Sequence, residues 1–226
     1  MAASRFVQGK KRCSKSVYIS FDEWGILSSK NFEKEKYPQW TEICDDKRSS
    51  TALDAVLHGA FMITMINKCD VVKVACESIV IGSMIMVDPN GGCFRQTTFY
   101  PFRDVALLGK EIVLKQSAEG PREDAGKYGE LPVIQSSVIY NDEKKEIVVF
   151  AVNFSKQKDI PFELSIQEFK EAEGIEFRQL YEKEAFAGNT FKNPFRVVPH
   201  LLEVDKKQRN FVLPPISWNV IRYRIK

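Results

Sequence analysis

Apolar and polar positions follow two different patterns along the chain, and the change comes near residue 117. Before it, short apolar runs are mixed with helical repeats. Beyond residue 130 only short strand-like segments separated by turn residues occur, which is typical of a β-sandwich. We therefore predict an α/β region at residues 1–128 and an all-β region at residues 129–226. The polar residues 117–130, with three glycines and a proline, are predicted to form a linker or long surface loop.

The first region opens with a strand at residues 17–21. A helix is predicted over residues 50–70, with Thr51 and Asp54 as its start signal and a break at residues 67–70. Its apolar residues recur at spacings of three and four, which predicts one apolar face made of Leu53, Val56, Leu57, Ala60, Phe61 and Met65. Three further elements are predicted: a short helix over DVVKVACESI, a strand SMIMV closed by a turn at residues 88–92, and a helix ending at Gly109.

The second region begins with a predicted hairpin, in which SSVIY and EIVVFAVNF are joined by the turn NDEKK. Further strands are predicted for PFELSI, IEFRQLY, FRVVPHLLEV, NFVLP and WNVIRYRI. Aromatic residues on these strands would be sugar platforms if the region were a carbohydrate-binding module. Core or interface positions are the prediction instead for Phe150, Phe154, Phe162, Phe177, Tyr181 and Phe195.

Charge, cysteine and histidine content exclude several classes of function. The net charge of +3 is too small to indicate a nucleic-acid binder, so the basic run of Lys10, Lys11, Arg12 and Lys15 is predicted to be a solvated face. Five scattered cysteines without a CxxC pair predict free, partly buried thiols rather than a metal or disulfide framework. The two histidines are far apart, and His58, inside a helical apolar pattern, is predicted to be structural. We expect no metal site and no cofactor.

The chain has no signal-peptide pattern, and its longest apolar stretch is too short to span a bilayer. We therefore expect a cytoplasmic protein without a membrane partner.

The stretch VYISFDEW carries the candidate chemistry, because an apolar strand runs directly into Asp22, Glu23 and Trp24. In parallel β/α barrels the catalytic residues lie at the carboxyl ends of the strands. Side chains alternate along a strand, so Asp22 and Glu23 are predicted to point to opposite sides, one toward a pocket and one into its wall. Trp24 could form a wall for a sugar ring. A hydrogen-bonded helix cap is the alternative interpretation of the two carboxylates.

Several motifs together resemble the C-terminal portion of the α-L-arabinofuranosidases of glycoside hydrolase family 51. They are SFDEW, GGCFRQTTFYPF, IVVFAVNFS, RVVPH and LPPISWNVIRYR, and the likeness runs from about Arg5 to the end. The resemblance implies the C-terminal remnant of a (β/α)8 barrel followed by a jelly-roll-like β-sandwich. It implies a retaining, exo-acting enzyme that removes terminal arabinofuranosyl residues from arabinan, arabinoxylan or arabino-oligosaccharides.

The resemblance also implies roles for individual residues. Glu23 would be the catalytic nucleophile, Gln96 would help to bind the arabinose ring, and Trp24 would contact the substrate. The chain departs from the family at Gly25, where the family has Asn, and at residues 26–27, where an aromatic is expected. The long polar segment 28–48 is a further departure, in which Trp40 could act as a platform.

The second catalytic carboxylate is missing from the sequence. The family's acid/base glutamate lies in an Asn-Glu pair, which this chain does not contain. Two strands also cannot bury the edges of an open β/α sheet. We therefore expect this chain to be part of a larger unit, its partner being the missing N-terminal barrel portion or, failing that, another copy through self-association. A non-catalytic sandwich module for assembly or carbohydrate contact is the alternative.

Overall fold

The computed structural model describes residues 6, 9–10, 15–26, 49–78, 80–88 and 91–226. The first part contains β1 (Ile19–Trp24), α1 (Ala52–Ile66), β2 (Val72–Glu77), the kinked turn α2 (Val80–Ser83), β3 (Ile85–Val87), β4 (Cys93–Arg95) and α3 (Phe99–Leu108). The rest contains β5 (Ile112–Leu114), β6 (Arg122–Asp124), β7 (Glu130–Pro132), β8 (Ile134–Asn141), β9 (Glu146–Asn153), β10 (Ile160–Glu163), β11 (Glu173–Tyr181), β12 (His200–Leu202), β13 (Asn210–Leu213) and β14 (Ser217–Arg224).

A six-stranded antiparallel sheet in the order β12-β11-β14-β9-β8-β5 organises the second part. Its central strand β9 is buried at all eight positions. One face of β9 packs toward α1 through Val148, Phe150 and Val152. The other face packs through Ile147 and Val149 against the two-stranded sheet of β10 and β13. Burial on both faces explains the continuous apolar run in β9, and the predicted β-sandwich is confirmed.

Trp218 joins the helices to the sandwich. Its ring stacks on Phe150 with the centroids 5.5 Å apart, and its indole N–H donates to Asp104 at 3.1 Å. The buried Asp104 carboxylate also accepts from Arg103 and Arg178. Helix α1 lies so close that a Cβ on Gly59 would be 2.4 Å from the Trp218 ring. Helices α1 and α3 therefore share one core with the sheet.

Helix α1 begins at the predicted residues. Thr51 and Asp54 form a capping box in which each side chain accepts from the other's backbone N–H. The next backbone N–H groups, of Ala52 and Leu53, donate to the carbonyls of Ala187 and Ala185 in the sandwich region. The start of α1 is therefore satisfied both by its own cap and by the second part of the chain.

The buried face of α1 differs from the prediction. Small residues make the close contact, and the buried positions include Ala52, Ala55, Val56, Gly59, Ala60 and Ile63. Of the predicted face, Val56 and Ala60 are buried as predicted, Leu53, Leu57 and Met65 are half-buried, and Phe61 is 54% exposed. The prediction is therefore confirmed only in part, because the tight approach to Trp218 selects small side chains for the most buried positions.

The segment DVVKVACESI was predicted as a helix, and this was wrong. It contains β2, which pairs in parallel with β1, and α1 connects the two strands. A short apolar run does not distinguish helix from strand. Here the strand partner, more than 40 residues away in sequence, decides the conformation. The predicted strand in SMIMV, the turn after it and the helix end at Gly109 are confirmed by β3, β4 and α3.

Other details of the prediction need correction. The segment 117–130 is not only a loop, because it contains β6, which pairs with β7 at the end of the segment. Only residues 200–202 of FRVVPHLLEV form a strand. Cys69, Cys76 and Cys93 are free, as expected, but exposed rather than partly buried. Residues 27–48, with Trp40, and the basic residues Lys11 and Arg12 lie outside the described residues. Among the described helices, none is long and apolar enough to cross a membrane.

The predicted core aromatics divide into three groups. Phe150 and Phe177 are buried as predicted, and Phe154 and Phe162 are half-buried against the core. Tyr181 and Phe195 are exposed in the chain as described, so a core position is wrong for them, and an interface position stays a prediction.

Candidate functional site

The candidate site lies at the carboxyl ends of β1 and β2. Because the strands are parallel, both ends meet at one edge, where Trp24 is paired with Glu77. From Phe21 to Trp24 the first strand advances three residues while β2 advances two, from Ala75 to Glu77. The irregularity therefore falls on Asp22 and Glu23. Bulges of this kind change the direction of side chains and often accompany active sites.

Both carboxylates of the SFDEW motif are exposed. Asp22 Oδ1 accepts a hydrogen bond from the Ser20 hydroxyl at 2.5 Å. One oxygen of the Asp22 carboxylate is therefore engaged by a residue of the same strand. Glu23 lies next to it, one position before the end of β1. An exposed carboxylate at this place is accessible to a ligand.

Trp24 is half-buried and packs inward. Its ring lies 4.7 Å from the His58 ring of α1, measured between centroids, at an angle of 34°. Its indole nitrogen is buried and has no hydrogen-bond partner in the described part of the chain. Trp24 therefore links the candidate nucleophile's strand to α1.

Gln96 is 1% exposed and fixed between two backbone segments. Its carbonyl oxygen accepts from the Ser50 N–H, and its amide nitrogen donates to the Gly82 carbonyl at 3.1 Å. The next residue, Thr97, donates its hydroxyl to the carbonyl of Thr51 at 2.6 Å. The orientation of the Gln96 amide is therefore set by the residue before the N-cap of α1 and by α2.

His58 and Glu77 were not expected at the site. His58 is fully buried in α1, and its Nε2 lies 3.7 Å from Glu77 Oε2, whose side chain is 4% exposed. The Ser83 hydroxyl contacts the other Glu77 oxygen at 3.4 Å. Burial lowers the pKa of His58 to about 4 and raises the pKa of Glu77 to about 7. Loss of solvation disfavours the charged form of each group, so both are held neutral between these values.

One sequence pattern could have indicated Glu77 as a site residue. Glu77 ends an apolar run, VVKVACE, much as Glu23 nearly ends YISFDEW. Because VVKVACE was predicted to be helical, its last residue was not expected at the carboxyl end of a strand. Its approach to His58 depends on the pairing of β1 with β2 and could not be read from sequence spacing.

These residues form one continuous set of contacts. Gln96 contacts Gly82, the neighbouring Ser83 contacts Glu77, and Glu77 lies beside His58, which stacks on Trp24. The structure thus connects Trp24 to Gln96, while Glu23 stands exposed beside Trp24. No group of three metal-ligating side chains occurs among the described residues.

A cavity of about 470 Å³ lies at another place. Arg95, Tyr100, Arg103, Arg178 and Phe195 contribute to its wall, whereas Glu23, Trp24 and Gln96 do not. This cavity is therefore separate from the candidate site.

Comparison with known proteins gives a consistent set of relatives. The family model described as the α-L-arabinofuranosidase C-terminal domain matches residues 22–217. An intracellular exo-α-(1→5)-L-arabinofuranosidase of Streptomyces lividans is 30% identical, over 98% of this chain and 34% of that protein. An exo-α-(1→6)-L-arabinofuranosidase of Bifidobacterium longum is 32% identical, over 99% of this chain and 45% of that protein.

A solved structure supports the same relationship. A family 51 α-L-arabinofuranosidase from Bifidobacterium longum superposes with a TM-score of 0.87 and 25% identity, over 98% of this chain and 46% of that one. This chain thus spans less than half the length of each of these three relatives.

Proposed function

Because the chain belongs to the α-L-arabinofuranosidase C-terminal domain family, we propose that it is the nucleophile-bearing part of a retaining, exo-acting α-L-arabinofuranosidase. The observation that carries the proposal is the position of Glu23: exposed, within an irregular stretch, and near the carboxyl end of a strand in a parallel β-α-β unit. This is where parallel β/α enzymes place their catalytic groups.

The proposed chemistry assigns one role to Glu23. Its carboxylate attacks the anomeric carbon of a terminal arabinofuranosyl residue while the bond to the leaving oxygen breaks. A second carboxylic acid gives its proton to that oxygen. Water, deprotonated by the same second group, then attacks the anomeric carbon and frees both arabinose and the Glu23 carboxylate.

The second carboxylate must come from another part of the complete enzyme. Retaining glycosidases place their two carboxyl groups about 5–5.5 Å apart. The family's Asn-Glu pair is missing here, and one carboxylate cannot attack and protonate in the same step. We therefore propose that this chain alone is inactive and that further β/α units supply the acid/base.

The edges of the β1–β2 sheet support such a partner. Within the described residues these two strands pair only with each other. Exposed apolar side chains, including Phe21 and Val74, lie on them. Unpaired parallel strands with apolar surface are completed by neighbouring strands in a closed barrel. The division into barrel units at residues 1–128 and a sandwich at 129–226 stays a prediction; β5, which precedes residue 129, pairs with the sandwich strand β8.

Gln96 and Trp24 are proposed to serve the substrate side of the site. The bonds from Ser50 and to Gly82 hold the Gln96 amide, and the residue is 1% exposed. The sugar contact proposed for Gln96 therefore requires its amide to give up one of these bonds and turn toward the substrate. Trp24 would support the segment that carries Glu23. The substrate class proposed is a terminal α-L-arabinofuranosyl residue of arabinan, arabinoxylan or an arabino-oligosaccharide. The named relatives differ in linkage, (1→5) against (1→6), so linkage preference is left open.

Reconstitution tests the proposal. The chain is combined with the N-terminal portion of the Bifidobacterium longum arabinofuranosidase of known structure. Hydrolysis of an aryl α-L-arabinofuranoside is then measured. We expect no turnover by either part alone and turnover by the mixture. Glu23→Gln should then lower kcat by roughly 10⁴- to 10⁶-fold, the range seen when a catalytic triad member is removed. Asp22→Asn, one residue away, is the matched control and should retain far more activity.

An external nucleophile separates loss of chemistry from loss of fold. In Glu23→Gly, azide should restore cleavage of an activated aryl substrate and give an arabinosyl azide of inverted configuration. Full activity of Glu23→Gln in the mixture would refute the assignment and make Asp22 the next candidate.

Exposed aromatics support one further candidate function, carbohydrate contact by the sandwich itself. Phe195 is 74% exposed and lines the cavity beside Arg95 and Tyr100. If this surface binds sugar, arabinan should change the tyrosine fluorescence of the isolated chain, and Phe195→Ala should abolish the change. An unchanged spectrum would remove this candidate.

A further inference from the structure

The buried polar cluster under the end of β1 has no role in the proposed reaction. His58 is fully buried, and neither of its ring nitrogens has a hydrogen-bond partner in the part of the chain that the structure describes. The same holds for Glu77 Oε2 and for the indole nitrogen of Trp24. Buried polar atoms without partners are costly and rare in folded proteins. Their concentration at one point calls for a functional explanation.

The groups that face this pair are few. Helix α1 contributes His58 itself, and α2 contributes the Ser83 hydroxyl. Strand β1 contributes its last residue, Trp24, and Gly25 follows directly after it. Helix α3 contributes Phe102, whose ring centre is 6.4 Å from that of His58. Across the described contacts, no arginine, lysine or second carboxylate reaches either group, so the electrostatic state of the pair depends on its own protons.

Glu77 also fits closely against the strand that carries the nucleophile. A Cβ at Gly25 would lie 3.0 Å from Glu77 Oε1, so the carboxyl group occupies the space that a side chain would need there. The N–H of Ser78, the residue after Glu77, donates to the Trp24 carbonyl at 3.1 Å. The Glu77 carboxyl group therefore fits in this place because position 25 has no side chain.

We propose that His58 and Glu77 are positioning residues that, as a neutral pair, hold Trp24 and Gly25 in place, and that deprotonation of Glu77 releases this end of β1 and with it Glu23. The inference rests on the proposed function only where it assigns a catalytic role to Glu23. The positioning of Trp24 by His58 and Glu77 does not depend on the proposed function.

The physical argument begins with the cost of a buried charge. Among the described residues, Glu77 has no cationic partner within reach once His58 is neutral. Burial raises the pKa of Glu77 to about 7 and lowers that of His58 to about 4. Above about pH 7 the carboxylate must gain water or a proton-bearing partner. Its movement toward solvent removes the support next to Gly25 and the polar neighbour of the His58–Trp24 stack.

The test reads Trp24 directly. The chain is labelled with 5-fluorotryptophan, which gives three ¹⁹F signals because the sequence has three tryptophans. Trp24→Phe identifies the signal of interest. In the wild-type chain we expect that signal to shift with a midpoint near pH 7. In Glu77→Gln, which stays neutral, the signal should keep its low-pH position from pH 5 to pH 9. Glu163→Gln, on an exposed position of β10, is the matched control and should titrate like the wild type.

A wild-type measurement protects the test against a variant that does not fold. The Glu77 carboxyl carbon is followed by ¹³C NMR in the unmodified sequence. A midpoint in the ordinary range near 4.5, or a Trp24 signal that does not follow Glu77, would overturn the proposal. Coincident midpoints of the two signals would support it.

Activity of the reconstituted enzyme gives the second part of the test. The alkaline limb of kcat/KM should move to higher pH in Glu77→Gln, whereas a merely structural role would lower kcat/KM at every pH. If reconstitution yields no activity but the Trp24 signal titrates as described, the positioning device stands and the proposed function fails. If activity appears and its alkaline limb is unchanged by Glu77→Gln, the positioning role is refuted while the proposed function stands.

Discussion

The sandwich and the β1-α1-β2 unit are built in opposite ways, although they share a core. In the sandwich, β9 is buried along its whole length and β14 at six of its eight positions. In the other unit, β1 and β2 are exposed at the four inner positions of each strand. The large sheet therefore has both faces covered, by α1 on one side and by β10 and β13 on the other, while the two parallel strands leave apolar side chains exposed.

The polar groups show the same contrast. Where α3 meets the sandwich, the buried Asp104 carboxylate accepts from two arginines and from Trp218. Inside the sandwich, the Asn153 amide nitrogen lies within 3.0 Å of three backbone carbonyl oxygens. Beneath β1, His58, Glu77 and Trp24 have buried polar atoms without partners in the described region. Ser137 and Arg222 of the sandwich each have one such atom among the described residues as well. Only beneath β1 do several of these atoms lie together, as expected where a site needs strain or a partner.

The largest effect should come from breaking the contact that joins the two regions. Gly59→Ala adds a Cβ that would lie 2.4 Å from the Trp218 ring, which the Phe150 stack and the Asp104 hydrogen bond hold in place. We expect a loss of about 1–3 kcal/mol in the free energy of unfolding, typical of overpacking, despite the better helix propensity of Ala. Chemical denaturation measures it.

Gly120→Ala is the matched control for that substitution. Nothing lies within 4 Å of its added Cβ, so the free energy of unfolding should stay within about 0.5 kcal/mol of the wild type. Equal stability of the two variants would show that α1 does not pack on the sandwich as described.

A smaller effect is expected from pH, because the two buried groups oppose each other. The folded-state pKa of Glu77 is about 7, above its ordinary value of 4.5, so its contribution to stability is full below pH 4.5 and is lost as pH rises through 7. The folded-state pKa of His58 is about 4, below its ordinary 6.5, so its contribution is full above pH 6.5 and is lost as pH falls through 4. Between about pH 4.5 and 6.5 the slopes cancel.

Single variants should expose each slope. In Glu77→Gln the free energy of unfolding should rise with pH from about 4 to 6.5, and in His58→Gln it should fall from about 4.5 to 7. Urea titrations at several pH values measure both. Parallel profiles in the two variants would contradict the assignment of neutral forms to the folded state.

The contrast between the regions also explains what the sequence could predict. The sandwich strands were recognisable because β8, β9, β11 and β14 carry β-branched and aromatic residues between clear turns. The start of α1 was recognisable because a capping box is local, linking Thr51 to Asp54. Local signals and continuous burial therefore suffice for most of the fold.

Features that depend on distant contacts were not predictable. The strand β2 exists because β1 pairs with it, and the buried face of α1 is set by its approach to Trp218, 159 residues after Gly59. Motifs made Glu23 and Gln96 candidates, whereas the Glu77–His58 contact joins a strand end to a helix residue 19 positions away in sequence. The resemblance named candidate catalytic residues but not the groups that hold them.

The smallest effect on stability should come from the outer surface of α1. Phe61 is 54% exposed and belongs to the apolar stripe left open by the incomplete β/α unit. Because its ring contributes little to the described core, Phe61→Ser should change the free energy of unfolding by no more than about 0.5 kcal/mol.

Exposed apolar stripes drive association, however. The isolated chain should therefore self-associate, and Phe61→Ser should reduce its apparent mass in analytical ultracentrifugation. Val212→Ser is the control, because Val212 is an exposed position of β13 in the sandwich. This substitution should leave association unchanged. A monodisperse wild-type monomer would show that the open face of the β1-α1-β2 unit needs no cover.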